Sequence, residues 1–369
     1  MLSGGNDQAY RRILATGGTF VRRLEAWKGG VRVDGYGDAG IPISDGSLSA
    51  NLENRVTRRL RLTLSSTLFP AASGSLLDPL ETELVLWCGW RGGAASAYLW
   101  PAFTGPVTAA SLQVGSATCA IDAADRVEQI VEDKFTVPVS SGPGVLVSTR
   151  VKDLISDSQP GALFGTFDET YAAVPSQTWE ADRAAALDDL AGAVGCFWYQ
   201  LPDGRYTMRL IPWGQSELGP AVATITSGVD GASVTLTRSR TGVYTICQVA
   251  GEPATGDAPV SGTASDTDPE SVTYYRGPLG RRVLKVQEDT VASSAQAEGI
   301  ARQRLRRGRA QVMQVATSGP YDPSLELGDV ATIITDQGSF PRALSSFTAN
   351  VGRNPNMSIQ WKSPGGDEE

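Results

Sequence analysis

At 369 residues, with 41% of side chains hydrophobic, the chain is long enough for about two to four packed domains, and wholesale disorder is excluded. A net charge of −8 argues against nucleic-acid binding as the main role, and 41 glycines with 21 prolines point to a turn-rich β protein. The absence of histidine excludes Ser-His-Asp and Cys-His nucleophile pairs and histidine-ligated zinc, leaving only carboxylate chemistry open in principle.

No apolar run reaches the roughly 20 residues needed to cross a bilayer, and Met1 to Arg12 lacks a hydrophobic signal core. Neither membrane insertion by this chain nor Sec export is expected. Cys88, Cys119, Cys196 and Cys247 are far apart and form no C-x-x-C pair. They read as small buried residues of a chain made in a reducing compartment, rather than a disulfide or metal framework.

In chain order, Asn6 to Leu14 reads as a short helix or arm, and Phe20 to Trp27 as a strand. Val31 to Asp34 and Ile41 to Ile43 are short strand candidates between glycine turns. In Val56 to Leu64 the alternation is cleaner: Leu60, Leu62 and Leu64 share one face, Arg59, Arg61 and Thr63 the other. A loop rich in Ser, Ala, Gly and Pro follows from Ser65 to Pro79. Glu83 to Trp90 and Ala97 to Thr108 resume as strands, the second interrupted by Gly105-Pro106, which predicts an edge or a bend. Ser111 to Ile121 is one more strand. Asp122 is a candidate cap for a short helix with Val127, Ile130 and Val131 inward. About five or six strands in this stretch suggest a small barrel or sandwich.

Val137 to Val145 reads as a Pro/Gly/Ser linker, and Thr149 as the cap of a helix running through Ile155. The segment Thr178 to Ile211 is the most structured interruption of the β pattern. Thr178 is a candidate N-cap, with Glu180 and Asp182 in the first turn, where the helix dipole favours negative charge. Leu187, Leu190, Ala191 and Val194 make one apolar stripe, and Gly195 ends the helix. Cys196 to Leu201 and Arg205 to Ile211 then form a hairpin around Pro202-Asp203-Gly204.

Beyond it, Ala221 to Ser227, Ala232 to Arg240 and Gly242 to Val249 read as strands. Gly251 to Glu270 reads as a disordered polar loop, with Val272 to Tyr275 and Arg282 to Glu288 as further strands. Ser293 to Arg307 is an amphipathic helix with Ala297, Ile300, Ala301 and Leu305 inward and Gly308 as terminator. Gln311 to Thr317, Val330 to Thr335, Ala343 to Asn350 and Met357 to Trp361 finish as strands, and the tail from Pro364 onward is expected to fray. The fold class is therefore β-rich α+β and multidomain.

Four stretches carry a family resemblance. They are Thr104-Gly105-Pro106-Val107 leading to Cys119 through Arg126; Thr178 through Arg183 with Leu187, Leu190, Ala191, Gly195 and the Asp203-Gly204 turn; the helix from Ala295 to Leu305; and Pro323 to Asp329, a P-x-L-x-x-G-D turn into a strand. In this order, across about residues 18 to 362, the chain resembles the baseplate hub (tail hub, "minor tail protein") family of long-tailed phages and related contractile injection systems. The resemblance implies two related β-barrels alternating with smaller α+β domains. The corresponding division is 1–139, an N-terminal barrel with an arm; 140–216, a small α+β domain; 217–362, a second barrel with an α+β portion and the polar loop 251–270; and 363–369, a disordered tail.

It also implies a non-enzymatic structural role in the virion tail, assembled in the host cytoplasm. Three copies would form a ring joining the sixfold tail tube to the threefold tip, with a channel for DNA. The implied partners are further copies of the chain, a tail tube or distal tail ring protein, a tip, spike or fibre protein, a tape-measure protein, and DNA only in transit. No fused lysozyme, peptidase or spike domain is visible in the sequence. The alternatives are a carbohydrate-binding or carboxylate-dependent glycoside-active β protein and a distal tail ring component.

No catalytic, cofactor-binding or metal-ligating residue is nominated, and no cofactor is expected. The basic run Arg302, Arg304, Arg306, Arg307, Arg309 reads as a phosphate contact or, more simply, as cations at a helix C-terminus. Asp266, Asp268 and Glu270 lack the full calcium-loop pattern and read as solvating acids. Asp188 and Asp189 are adjacent on a helix and so face apart, a poor acid–base pair. Trp87, Trp90 and Trp100, and Trp198 with Trp213, read as core or interface rather than as a sugar platform. Asn356-Met357-Ser358 matches a glycosylation sequon, discounted without a secretory signal.

Overall fold

The computed structural model describes residues 8–93, 97–141, 144–168, 178–210, 219–229, 231–251, 260–287, 294–309 and 313–362. Its N-terminal part comprises α1 (Gln8–Thr16), β1 (Thr19–Lys28), β2 (Val31–Arg32), β3 (Asp45–Asn51), β4 (Arg58–Ser65), β5 (Glu83–Arg91), β6 (Tyr98–Ser111) and β7 (Thr118–Ala124). The alternation in β4 works as expected: Leu60, Leu62 and Leu64 are buried, and Arg59 and Arg61 are exposed. Strand β6 is the corner piece. It pairs with β5 as far as Pro106 and with β7 from Val107 on. Gly105-Pro106 therefore marks a bend, where the missing side chain lets β6 lie close on the Ala124 carbonyl.

The middle part holds α2 (Val127–Glu132), β8 (Val139–Ser140), α3 (Val147–Ser158), β9 (Phe164–Phe167), β10 (Thr178–Trp179), α4 (Arg183–Ala193), β11 (Cys196–Gln200) and β12 (Tyr206–Leu210). The β11–β12 hairpin is antiparallel, and β9 adds to β12 in parallel. Gly204 (φ +89°) makes the turn and Gly195 (φ +70°) ends α4, both in the left-handed region. Ile211 and Trp213 lie outside the described residues. This part has its own core, in which Leu187, Leu190 and Ala191 meet Val151, Ile155, Trp179 and Met208. Arg183, nearly buried, ties the helices together: it reaches Asp157 at 2.7 Å, Asp133 at 3.2 Å and the Leu154 carbonyl at 3.1 Å.

The C-terminal part comprises β13 (Ala223–Thr226), β14 (Ser233–Arg238), β15 (Ile246–Ala250), β16 (Ser261–Ser265), β17 (Val283–Gln287), α5 (Ser294–Arg309), β18 (Met313–Pro320), β19 (Val330–Thr335), β20 (Gly338–Asn350) and β21 (Asn356–Lys362). Strands β16-β15-β17 form a small sheet, and Ala297, Ala301 and Leu305 of α5 pack on Cys247, Val249 and Ala264. The remaining strands join the N-terminal ones. β20 pairs with β3, so one sheet runs β14-β18-β21-β20-β3-β4-β7-β6-β5-β1-β2, with β19 and β13 branching from β20. The β-rich, multidomain α+β class holds. Among the described residues, strand pairing does not close either half into a barrel.

Several local expectations are corrected. Asp182, not Thr178, caps α4: its carboxylate accepts the Ala185 amide at 3.0 Å, whereas Thr178 is committed to β10 and meets the Ser140 hydroxyl at 2.8 Å. Asp182→Ala is expected to cost about 1 kcal/mol, read as a lowered thermal midpoint. Asp122 lies inside β7 opposite Arg61, and the amide of Val127 is held by Asp125 instead. The helix expected to start at Thr149 starts at Val147, with Leu146 as cap. Ile41 and Ile43 are buried but not in a strand, since Pro42 has no amide to donate. The strand expected from Ser111 begins only at Thr118, after a turn in which the Ser116 amide bonds the Gln113 carbonyl.

The presumed linker 137–145 contains β8, which is held by β10. The presumed disordered loop contains β16, held by β15, while its residues 252–259 lie outside the described residues. Val272 to Tyr275 forms turns rather than a strand, because the Tyr275 amide bonds back to the Asp266 carbonyl. Gly308 is inside α5, which continues to Arg309. The tail 363–369 lies outside the described residues.

Candidate functional site

The three parts of the chain meet at a buried arginine. Arg58 opens β4 in phase with Leu60, Leu62 and Leu64, so the strand aims it into the core, where it is 1% exposed. Its guanidinium donates to the Glu326 carboxylate from the C-terminal part and to the Gln200 carbonyl from β11. Its face lies 5.7 Å from the Tyr199 ring centroid. Glu326 also accepts the Leu327 amide at 2.8 Å, and burial pushes its carboxyl pKa up against the pull of Arg58.

The turn that carries Glu326 is the P-x-L-x-x-G-D stretch. Asp322 accepts the Ser324 amide at 3.0 Å, Asp329 accepts the Glu326 amide at 2.9 Å, and Gly328 takes φ +80° beside Phe197. Leu325 and Leu327 anchor it in the large core shared by both halves of the sheet. The turn is thus an internal brace. Tyr10 of α1 donates to Asp322 at 2.8 Å, and Trp90 of β5 donates to the Tyr321 carbonyl at 2.7 Å.

A second set of polar groups clamps the middle part to the β6 corner. Gln200 is fully buried and donates to the Thr104 carbonyl at 2.8 Å while accepting the Arg126 amide at 2.7 Å. The Thr104 hydroxyl donates to the Pro202 carbonyl of the hairpin turn at 2.8 Å. Arg126 holds Glu83 through paired bonds of 2.8 and 2.7 Å. Asp125 accepts the Thr57 hydroxyl and the Arg58 amide, each at 2.7 Å, and burial raises its pKa to about 6. These bonds fix the relative placement of the elements they join.

The sequence-nominated residues distribute accordingly. Asp188 and Asp189 each hold a tryptophan indole, Trp198 at 2.8 Å and Trp179 at 2.9 Å, and Asp188 also meets Arg55 at 2.7 Å. Asp266 is buried, not solvating: it accepts the Ser271 and Thr273 hydroxyls, both at 2.5 Å, and organises a turn. Trp90 and Trp100 pack with Tyr10 under α1, while Trp87 lies on the opposite face beneath the Arg23 guanidinium at 5.2 Å. All four cysteines are free and buried. In the basic run, Arg302 lies 3.8 Å from Glu298 on α5, and the side chains of Arg306, Arg307 and Arg309 lie outside those described. Asn356 starts β21 and pairs with Pro320. Among the described residues, no cluster of three or more Cys, Asp or Glu side chains is placed to hold a metal. No described helix is long and apolar enough to cross a membrane.

No protein-family model matches the sequence, and no curated protein matches it. Solved structures do. The tail protein from Neisseria meningitidis MC58 superposes with a TM-score of 0.64 at 14% identity, covering 94% of this chain and 97% of that one. The 43 kDa tail protein of prophage MuSo2 from Shewanella oneidensis gives 0.62 at 12% identity, covering 93% and 98%. The E. coli c3393 protein, a type VI secretion component with structural similarity to the T4 tail proteins gp27 and gp5, gives 0.50 at 9% identity, covering 91% and 76%. Over more than nine-tenths of its length, this chain has the fold of phage tail proteins.

Proposed function

We propose that the chain is a structural protein of a phage-like tail, a hub at the baseplate or tail tip. The observation that carries this reading is the end-to-end match to tail proteins, which leaves no large segment of either chain unaccounted for. Polar groups invested in bracing the three parts, rather than in an accessible cluster, fit such a role. The division at 1–139, 140–216 and 217–362 is part of the proposal, with strands of the third portion completing the sheet of the first.

In this reading three copies form a ring that joins a sixfold tail tube or distal ring above to a threefold tip, spike or fibre below. DNA passes through the ring, and a tape-measure protein is a further neighbour. The site of action is the virion tail. Oligomers of this kind are held by edges and interfaces. Outer strand β14 pairs only with β18 among the described residues and carries exposed Ser233, Thr235 and Thr237.

The test is a reconstruction of purified tails with cross-linking of neighbours. Threefold density at the tip end of the tube, cross-linked both to tube or distal-ring protein and to tip protein, is the expected result. A single copy in an intact tail, or sixfold density at this position, would overturn the hub reading. The sixfold outcome would favour the distal ring alternative.

A further inference from the structure

The seam between the first β strand and the turn joining β20 to β21 forms an open, shallow cavity of about 590 Å³, within the ~300–1,000 Å³ typical of ligand sites. Three arginines line it, Arg22, Arg91 and Arg353; among the described residues no acidic side chain lines it, and the nearest carboxylate, Asp45, lies against Gly352. The chain as a whole carries a net charge of −8, so this concentration of positive charge runs against its composition.

Arg22 is already structural. It donates to the Val351 carbonyl at 2.5 Å and the Ile43 carbonyl at 2.6 Å, pinning the two halves together, and among the described residues no carboxylate lies in salt-bridge range. Burial lowers its pKa and the Arg353 charge adds to that effect, while Cys88 and Asp45 oppose it. Arg91 and Arg353 are exposed at the mouth. The cavity wall includes Phe20 and Trp90, whose rings meet edge-on at a centroid distance of 5.4 Å.

We propose that this cavity docks an acidic peptide segment of a neighbouring protein, with its carboxylates paired to Arg91 and Arg353 and its backbone lying along the β1 edge of the seam. Charge complementarity selects the class of partner, since two accessible guanidiniums beside a third that is partly buried form a carboxylate trap. Nucleic acid fits less well. Trp90 is 6% exposed and committed to Phe20, so it offers no open face for a base. The inference goes beyond the hub role and does not depend on the trimeric ring, because a single chain contains the whole cavity.

The experiment uses the full chain and a fluorescein-labelled, end-capped peptide of about ten residues built from Asp, Glu and Gly, read by anisotropy at low ionic strength, where the Debye length is ~30 Å. Saturable binding is expected, weakened about fivefold by Arg91→Ala or Arg353→Ala, and abolished in the double variant and at ~1 M salt. Both side chains are exposed, so thermal unfolding is expected to show these variants folded, and Arg281→Ala, outside the cavity, is expected to bind as the unaltered chain does. Absence of binding would overturn the proposal. So would binding indifferent to the two cavity variants, or tighter binding of a ten-nucleotide single-stranded DNA that those variants abolish.

Discussion

Replacing Arg58 by methionine is expected to destabilise the protein by about 3–5 kcal/mol, the cost of leaving a buried carboxylate without its partner. Glu326 is 3% exposed, and its other close donor is the Leu327 amide at 2.8 Å, which cannot neutralise it. Gln200 would lose the arginine at its carbonyl, so the middle part should loosen along with the C-terminal turn. The checking measurement is thermal and denaturant unfolding of the single variant beside Arg58→Met/Glu326→Gln. The double variant removes both charges while keeping an acceptor for the Leu327 amide, and it is expected to recover more than half of the loss. If both variants are equally unstable, the ion pair is not the bond that matters and the lost bond to the Gln200 carbonyl is.

Gly105→Val is the second large effect. A Cβ at this position would fall inside contact distance of the Ala124 carbonyl oxygen and 2.9 Å from the Asp125 Cα, both backbone atoms that cannot rotate away. The strand must move, and with it the Thr104 carbonyl and hydroxyl that hold Gln200 and the hairpin turn. Overpacking of this kind costs about 1–3 kcal/mol or more, and the rigid neighbours here put the expectation at the upper end. Gly219→Ala is the control. It has open space around it and no left-handed backbone, so it should stay within about 0.5 kcal/mol of the unaltered chain. Circular dichroism melts and soluble yield of the two variants separate the cases.

Much of the sheet was legible because its strands alternate cleanly. Val330 to Thr335 is the observed β19, and the β4 face of Leu60, Leu62 and Leu64 is the observed core. The hairpin from Cys196 and its Asp203-Gly204 turn were equally plain, because turn chemistry is local. Strand β3, Asp-Gly-Ser-Leu-Ser-Ala-Asn, was missed for the opposite reason. Nothing in its composition favours a strand, and it extends only because β4 and β20 supply partners on both edges. Strand β16, Ser-Gly-Thr-Ala-Ser, is equally nondescript in composition; among the described residues β15 alone pairs with it, and Gly262 admits α5.

The brace at Arg58 and Glu326 was half legible. Arg58 stands in phase with three inward leucines, and Glu326 stands between Leu325 and Leu327 in a turn already singled out. Each position signals a charge headed for the interior. That the two charges meet is a property of topology, since no local pattern links residues so distant in the chain. Asp266 was read as a solvating acid for want of the same information. Asp188 and Asp189 were correctly seen to diverge, but their tryptophan partners, ten residues away on either side, become visible only when β10 and β11 flank α4.

The pairing of β3 with β20 has a consequence for biosynthesis. Arg58 and Glu326 are 268 residues apart, and Tyr10 and Asp322 are 312 apart, so the central sheet and its brace form only after most of the chain has left the ribosome. Until then β3 offers a bare edge, a state open to pairing with other nascent chains. Its serines, glycine and terminal aspartate make that edge short and polar, which discourages such encounters. High contact order of this kind slows folding. A chain truncated before β20 would lack the partner of β3 and could not complete the central sheet.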